Sequence, residues 1–324
     1  MFETQFIQLI DGQLNDAEAG SFLLAATKEP VTGSRLAFAA KALRERMVLI
    51  DYPQPLLDTC GTGGDQQSTM NISTAASFVL AGAGVKIAKH GNRAVSSSSG
   101  SSDVLSALGI IADLPMEGIV ACLETANLGF IFAPRFHPRL KALAPVRKQI
   151  GAPTIFNLLG PLCNPARVCW QVLGVGKRES LRPMAEALVQ MNVKRAAVVH
   201  GEPGLDEVSL QGETHVCLIQ GSNITDQVWT PADFGYQTLS IDSIRCKDAV
   251  ESARNIETML KNEDQPCRPW VLANVAVGLL IADQVKTLRD GVQRAEEVVR
   301  SGLAFLKLEQ LRLVSAACCR PAAL

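Results

Sequence analysis

The chain has 324 residues, of which 47% are hydrophobic and 19% charged, with 31 Lys and Arg against 32 Asp and Glu. That much apolar material builds a sizeable core and excludes a disordered chain, and a formal net charge of -1 leaves no basic excess to draw the chain to nucleic acid or an anionic membrane. The length predicts one large domain plus a smaller one. Residues 1–48 read as short helices, Ala17–Ala26 and Leu36–Met47 among them, separated by Pro30, with Ser34 as the predicted N-cap of the second. Helices this short must bury their apolar faces on the rest of the chain or on a second copy. The texture then changes. A short run at Pro55–Asp58 leads into Gly61-Thr62-Gly63-Gly64-Asp65, and a helix follows over Ser73–Ala83. A strand at Val85–Lys89 opens a glycine- and serine-rich loop, His90–Ser102, before a helix at Asp103–Leu108. Further strands are predicted at Gln171–Val175, Ala196–His200 and Val216–Ile219. Further helices are predicted at Pro183–Met191, Ala249–Leu260, Trp270–Leu280, Thr287–Ser301 and Gly302–Leu311. Alternating strand, loop and helix is the pattern of an α/β domain.

Nine cysteines stand at irregular positions without a CxxC pair. An odd count without metal-ligand spacing fits reduced thiols in a cytoplasmic protein. The first five residues lack the positive n-region of a signal peptide, and the longest apolar stretches, Phe78–Val85 and Val271–Ala282, are too short or too broken to read as membrane spans.

Four stretches carry chemistry. The glycines of Gly61–Asp65 let backbone N–H groups approach an anion, and the helix beginning near Ser73 adds oriented donors together with Asn71 and Thr74. A tight turn before an ordinary N-cap would read the same, and the spacing is neither a Walker A loop nor GxGxxG. Lys89-His90-Gly91-Asn92-Arg93 then leaves the end of an apolar strand with Ser96, Ser97 and Ser101 behind it. This composition suits an oxygen-rich anion, or a polar surface loop. Asp206-Glu207, after Gly204-Leu205, would bind Mg²⁺ or form a solvated acidic turn. Finally, Phe132–Arg147 brings His137, Arg139, Lys141 and Arg147 among aromatic and apolar residues. An arginine so placed would pair with an aromatic carboxylate, and a basic helix face is the plainer alternative.

In this order the stretches Gly61–Asp65, Asn71–Thr74, Lys89–Arg93 and Gly204–Glu207, with Thr154–Pro161 and Asn164-Pro165-Ala166, resemble the anthranilate phosphoribosyltransferase family. The resemblance runs from about Phe22 to Leu311, and the joint pattern is far more specific than any one motif. It implies a small all-helical N-terminal domain (residues 1–52, joined by a helical segment near 130–165) beside a large α/β domain over 53–324. The central sheet would be mixed and mostly parallel, of the nucleoside phosphorylase/phosphoribosyltransferase class. It implies a homodimer and transfer of the 5-phosphoribosyl group from phosphoribosyl pyrophosphate to anthranilate in tryptophan biosynthesis, with Mg²⁺, two ions per subunit. By motif, the phosphoribosyl pyrophosphate residues are Gly61, Gly64, Asp65, Thr69, Asn71, Ile72, Ser73, Thr74, Lys89, His90, Gly91, Asn92, Arg93, Ala94, Val95, Ser96, Ser97 and Ser101. Gly61, His90, Asn92, His137, Arg147 and Gly160 would face anthranilate, and Ser73, Asp206 and Glu207 would bind the metal. An aniline nitrogen is weakly basic, so no dedicated general base is expected. The chain departs from the family pattern at a shortened N-terminal helix, at Pro153 in place of a common arginine, at Ser98 in place of a lysine, and at Arg139-Leu140. Alternatives are a pyrimidine nucleoside phosphorylase-like enzyme and a non-catalytic nucleic-acid-binding paralogue.

Overall fold

Short runs of Val, Leu, Ile and Ala that are buried on both sides suit sheet interior covered on two faces. They form the middle of a seven-stranded sheet: β1 (Leu57–Gly61), β2 (Ile87–Gly91), β3 (Leu128–Phe132), β4 (Trp170–Gly174), β5 (Arg195–Gly201), β6 (Thr214–Gln220) and β7 (Asn223–Trp229). The computed structural model describes residues 2–65, 67–92 and 100–319. Across the sheet the order is β3-β2-β1-β4-β5-β6-β7. β1 through β5 pair in parallel, and β6 and β7 are antiparallel additions at one edge. The expected mixed, mostly parallel sheet is therefore present.

Alternation along the strands divides the core in two. Val172, Ala197 and Val199 face helices Ile72–Gly82, Met116–Ala126, Ala249–Leu260, Arg268–Ile281, Leu288–Arg300 and Leu303–Cys318. Leu173, Ala196 and Val198 face the other way, into a core shared with Leu181–Gln190 and with the N-terminal helices Phe2–Ile10, Asp16–Lys28 and Gly33–Arg44. Leu143, Val146, Phe156 and Leu159, from the short helices of the 133–162 segment, join that second core. The first helices thus bury their apolar faces on this same chain.

Local chemistry sets the ends. Asn15 and Glu18 form a reciprocal capping box at the second helix. The third helix is capped by Thr32, whose hydroxyl accepts from the Arg35 N–H, and Ser34 lies within the first turn rather than at the cap. β2 begins two residues later than expected and extends through Gly91. Strands β3 and β7 and the helix Met116–Ala126 are additional to the sequence expectation. No helix among the described residues is long and apolar enough to cross a membrane.

β1 lies between β2 and β4, so the chain runs outward from it in both directions. A crevice opens at such a reversal, beyond the carboxyl ends of the strands.

Candidate active site

The crevice at the ends of β1, β2 and β4 has a volume of about 340 Å³, within the usual range of ligand sites. At its floor Gly61 and Gly174 stand side by side as register partners of β1 and β4. The Gly204–Glu207 loop crosses directly over them. A Cβ on Gly61 would strike the Asp206 carboxylate, and one on Gly174 would strike the Asp206 backbone. Glycine is required at both positions by this close approach. Gly63 and Gly64, at φ +68° and +78°, adopt the left-handed backbone that a side chain disfavours.

This packing takes three carboxylates partly out of water, each half-buried. Asp206 Oδ2 accepts from the Gly63 N–H at 2.7 Å, and Glu207 Oε1 accepts from the Ser73 N–H at 2.9 Å. Burial and the neighbouring Asp206 push Asp65 up to about 6 and Glu207 up to about 8. Burial raises Asp206 as well. Among the described residues the nearby cation is Lys89, itself buried, whose ammonium donates to the Thr59 carbonyl and to Ser73 Oγ at 3.1 Å. One lysine does not balance three carboxylates. An all-oxygen donor set short of positive charge is the chemistry that hard divalent cations satisfy, so these residues fit Mg²⁺. Asp206 and Glu207 are anchored by different backbone donors.

Next to the carboxylates, Asn71, Ser73 and Thr74 line the crevice at the start of the helix Ile72–Gly82. Asn71 is fixed by Ser252, whose hydroxyl donates to Asn71 Oδ1 and accepts from the Asn71 N–H. Thr74 Oγ1 is buried without a hydrogen-bond partner among the described residues. An orphaned hydroxyl inside a polar crevice is a place for a ligand oxygen. Thr69 and Ser101 also line the space, Ser101 donating to the Asn92 carbonyl at 3.3 Å. Ile72 does not: its side chain is fully buried in the core, and its N–H donates to the Met70 carbonyl. Arg93, Ala94, Val95, Ser96 and Ser97 lie outside the described residues.

The other end of the crevice is less polar. His90, at the end of β2, places Nδ1 3.1 Å from the Gly160 carbonyl and Nε2 3.2 Å from His137 Nε2. A carbonyl can only accept, so the neutral His90 carries its proton on Nδ1, and His137 donates from Nε2. Burial holds His90 down to about 3 and His137 to about 4, with the His137 ring adding to the effect on His90 and Arg44 to that on His137. Arg147 lies with its guanidinium 5.4 Å from the centre of the Phe156 ring. Among the described residues it has no carboxylate partner and no hydrogen bond, and burial lowers its pKa. The crevice therefore joins an oxygen-rich cation site to an apolar, aromatic-floored slot with an unpaired guanidinium.

Gly61, Gly64, Asp65, Gly91, Asn92 and Gly160 all line this one space. Sequence reasoning assigned no role to Gly174, Phe156, Leu140 or Ala133. Phe156 stands inside the run Thr154–Pro161 and was within reach of the motif. Gly174 ends an unremarkable apolar strand, and only the crossing of the Asp206 loop explains it.

A crevice of this kind on a mixed sheet defines a class: the family described as glycosyl transferase family, a/b domain, matches residues 53–305. Within that class, the chain is 43% identical over 311 residues to the anthranilate phosphoribosyltransferase of Symbiobacterium thermophilum, covering 96% of this chain and 91% of that protein. The anthranilate phosphoribosyltransferase of Thermus thermophilus superposes with a TM-score of 0.91 at 38% identity, over 97% of this chain and 94% of its own. The Saccharomyces cerevisiae enzyme in complex with PRPP and Mg superposes with a TM-score of 0.88 at 30% identity, over 96% and 91%. The chain belongs to the anthranilate phosphoribosyltransferase family. Neither the nucleoside phosphorylase nor the nucleic-acid-binding alternative is favoured by these likenesses.

Proposed function

We propose that this chain transfers the 5-phosphoribosyl group from phosphoribosyl pyrophosphate to the amine of anthranilate, releasing pyrophosphate, in tryptophan biosynthesis. The observation that carries this reading is the pairing, in one crevice, of the half-buried carboxylates Asp65, Asp206 and Glu207 with Arg147, which lies over Phe156 and has no carboxylate partner among the described residues. The diphosphate end of the donor meets Gly61, Gly64, Thr69, Asn71, Ser73, Thr74 and Lys89, with Ser101 beside it. Anthranilate enters between His90, Asn92, His137 and Gly160, its carboxylate on Arg147.

Mg²⁺, when bound, supplies positive charge to the departing pyrophosphate. Ser73, Asp206 and Glu207 would hold it, with Asp65 beside Asp206. Two ions per subunit accord with the separate anchoring of Asp206 and Glu207. The bond from C1 of the ribose to the pyrophosphate oxygen breaks, a bond from C1 to the amine nitrogen forms, and the amine gives up one proton. The protein positions the amine behind C1 and keeps the slot dry. His90 and His137, held neutral well below their ordinary range, are weak bases and act by orientation.

The start of the family match at residue 53 supports a division into a helical domain over 1–52, joined by the helical segment near 130–165, and an α/β domain over 53–324. A homodimer through the helical side accords with the exposed apolar Leu24, Val48 and Leu49 there. A cytoplasmic location accords with nine free cysteines. The transfer is tested by mass spectrometry of a mixture of protein, anthranilate, phosphoribosyl pyrophosphate and Mg²⁺. A product carrying both the anthranilate and the phosphoribosyl mass is expected. Pyrophosphate release without that product would refute the acceptor assignment.

A further inference from the structure

The antiparallel ladder of β5 and β6 continues past the strand end, where the Glu202 N–H donates to the Glu213 carbonyl at 2.9 Å. Residues directly opposite on such a ladder share a face, and so do residues two apart on one strand. His200 pairs with His215, and Glu202 with Glu213, so four metal-ligating side chains stand on one face in two rows. His200 is already engaged, its Nδ1 donating to the Val175 carbonyl at 2.8 Å. His215 is not. It is 8% exposed and makes no hydrogen bond among the described residues, and its closest ionic neighbour is Glu213 Oε2, 3.8 Å from its Nε2. That separation is too long for a hydrogen bond. It is close to the roughly 3.4 Å between two ligands of one tetrahedral ion with bonds of about 2.0–2.1 Å. One ligand atom each from Glu202, Glu213 and His215 lies within 4.8 Å of the others.

We propose that Glu202, Glu213 and His215 form a binding site for a borderline divalent ion such as Zn²⁺, separate from the Mg²⁺ positions. The buried imidazole selects against Mg²⁺, which prefers all-oxygen shells, and one nitrogen with two carboxylates suits Zn²⁺ or Co²⁺. Both glutamates are exposed, which leaves coordination positions to water. The site sits at the neck of the loop carrying Asp206 and Glu207. Ser209, where that loop rejoins, donates from its hydroxyl to the Glu202 carbonyl at 2.5 Å and from its N–H to Thr214 Oγ1 at 2.9 Å. An ion bridging Glu202 to β6 clamps both ends of the loop.

The test is calorimetric titration of the full chain with Zn²⁺ in excess Mg²⁺, on wild type, His215→Ala and the double variant Glu202→Gln/Glu213→Gln. One ion per chain is expected in wild type, with affinity at least about tenfold weaker in both variants and turnover with Mg²⁺ unchanged. The double variant alters only exposed side chains and decides the matter alone if His215→Ala fails to fold. No Zn²⁺ uptake in excess Mg²⁺ overturns the proposal. So does equal affinity in wild type and the double variant, since the cysteines would then be the ligands.

Discussion

Replacing Arg147 by alanine removes from the apolar slot a guanidinium that faces no protein carboxylate among the described residues. Because no ion pair or hydrogen bond among the described residues is lost, only the contact with the Phe156 ring, the substitution should cost no more than about 1 kcal/mol of stability. Its effect should fall on the acceptor. A guanidinium and a carboxylate about 4 Å apart attract by about 4 kcal/mol at the effective dielectric of a half-buried site. Stripping water from the carboxylate offsets part of this, and the charge-assisted hydrogen bonds contribute about 1.5–3 kcal/mol net. A loss of about 2–4 kcal/mol corresponds to a rise of roughly thirtyfold to several hundredfold in the anthranilate dissociation constant. The assay is a fluorescence titration of anthranilate against protein saturated with pyrophosphate and Mg²⁺, together with steady-state Michaelis constants for both substrates. The constant for phosphoribosyl pyrophosphate should move by no more than about threefold, since Arg147 lies at the other end of the crevice. Arg147→Lys keeps the charge, loses the fork, and should fall between. Equal rises in both Michaelis constants, or an unchanged anthranilate constant, would refute the assigned role.

The ionisable groups of the crevice make opposite predictions for stability against pH. Asp65 and Glu207 have folded pKa values raised above their unfolded ones, so their contribution is present below about pH 4 and is lost as pH rises through 6 and 8. The histidine pair, depressed to about 3 and 4, contributes fully above about pH 6.5 and loses its contribution as pH falls below that. Without Mg²⁺, urea unfolding should therefore be most resistant near about pH 6.5, where the histidine contribution has become complete, and weaken from there toward pH 8 by up to about 1.4 kcal/mol per pH unit for Glu207. Mg²⁺ should restore the alkaline side, and an increment that does not grow with pH would contradict the metal assignment. Gly174→Ala should lower turnover by at least about tenfold and cost about 1–3 kcal/mol, because the new Cβ meets the Asp206 backbone. Normal kinetics in that variant would show that the loop position is not needed. His90→Ala should retain measurable turnover once both substrates are saturating. Abolished turnover with both affinities intact would mean that His90 is a base after all.

Much of this site was legible because its chemistry is local. The stretches Gly61–Asp65, Asn71–Thr74 and Lys89–Asn92 each lie at the end of a strand or open a helix, so short strings encode them, and the sheet order brings them together at the carboxyl ends of neighbouring strands. What sequence could not supply is long-range contact. Nothing in Trp170–Gly174 announces that the Asp206 loop will lie on Gly174, and nothing near Lys89 announces that its ammonium turns back to Thr59 and Ser73. Ile72 illustrates the reverse case: a motif position whose side chain belongs to the core. β3 escaped notice because Leu128–Phe132 is five apolar residues beside a basic, proline-rich run, and a run that short fits a helix or a strand equally. β7 escaped because Asn223–Trp229 is polar and exposed, as an edge strand can be when only one end is buried.

The central claim is that one crevice holds both a diphosphate donor with its cations and an aromatic amine acceptor. It is tested most directly by following anthranilate fluorescence in the presence of the folded protein, phosphoribosyl pyrophosphate and Mg²⁺. The fluorescence should decay with one pyrophosphate released for each anthranilate consumed, and should hold steady when either the donor or Mg²⁺ is omitted. Fluorescence that stays constant with all components present and the protein folded would contradict the claim.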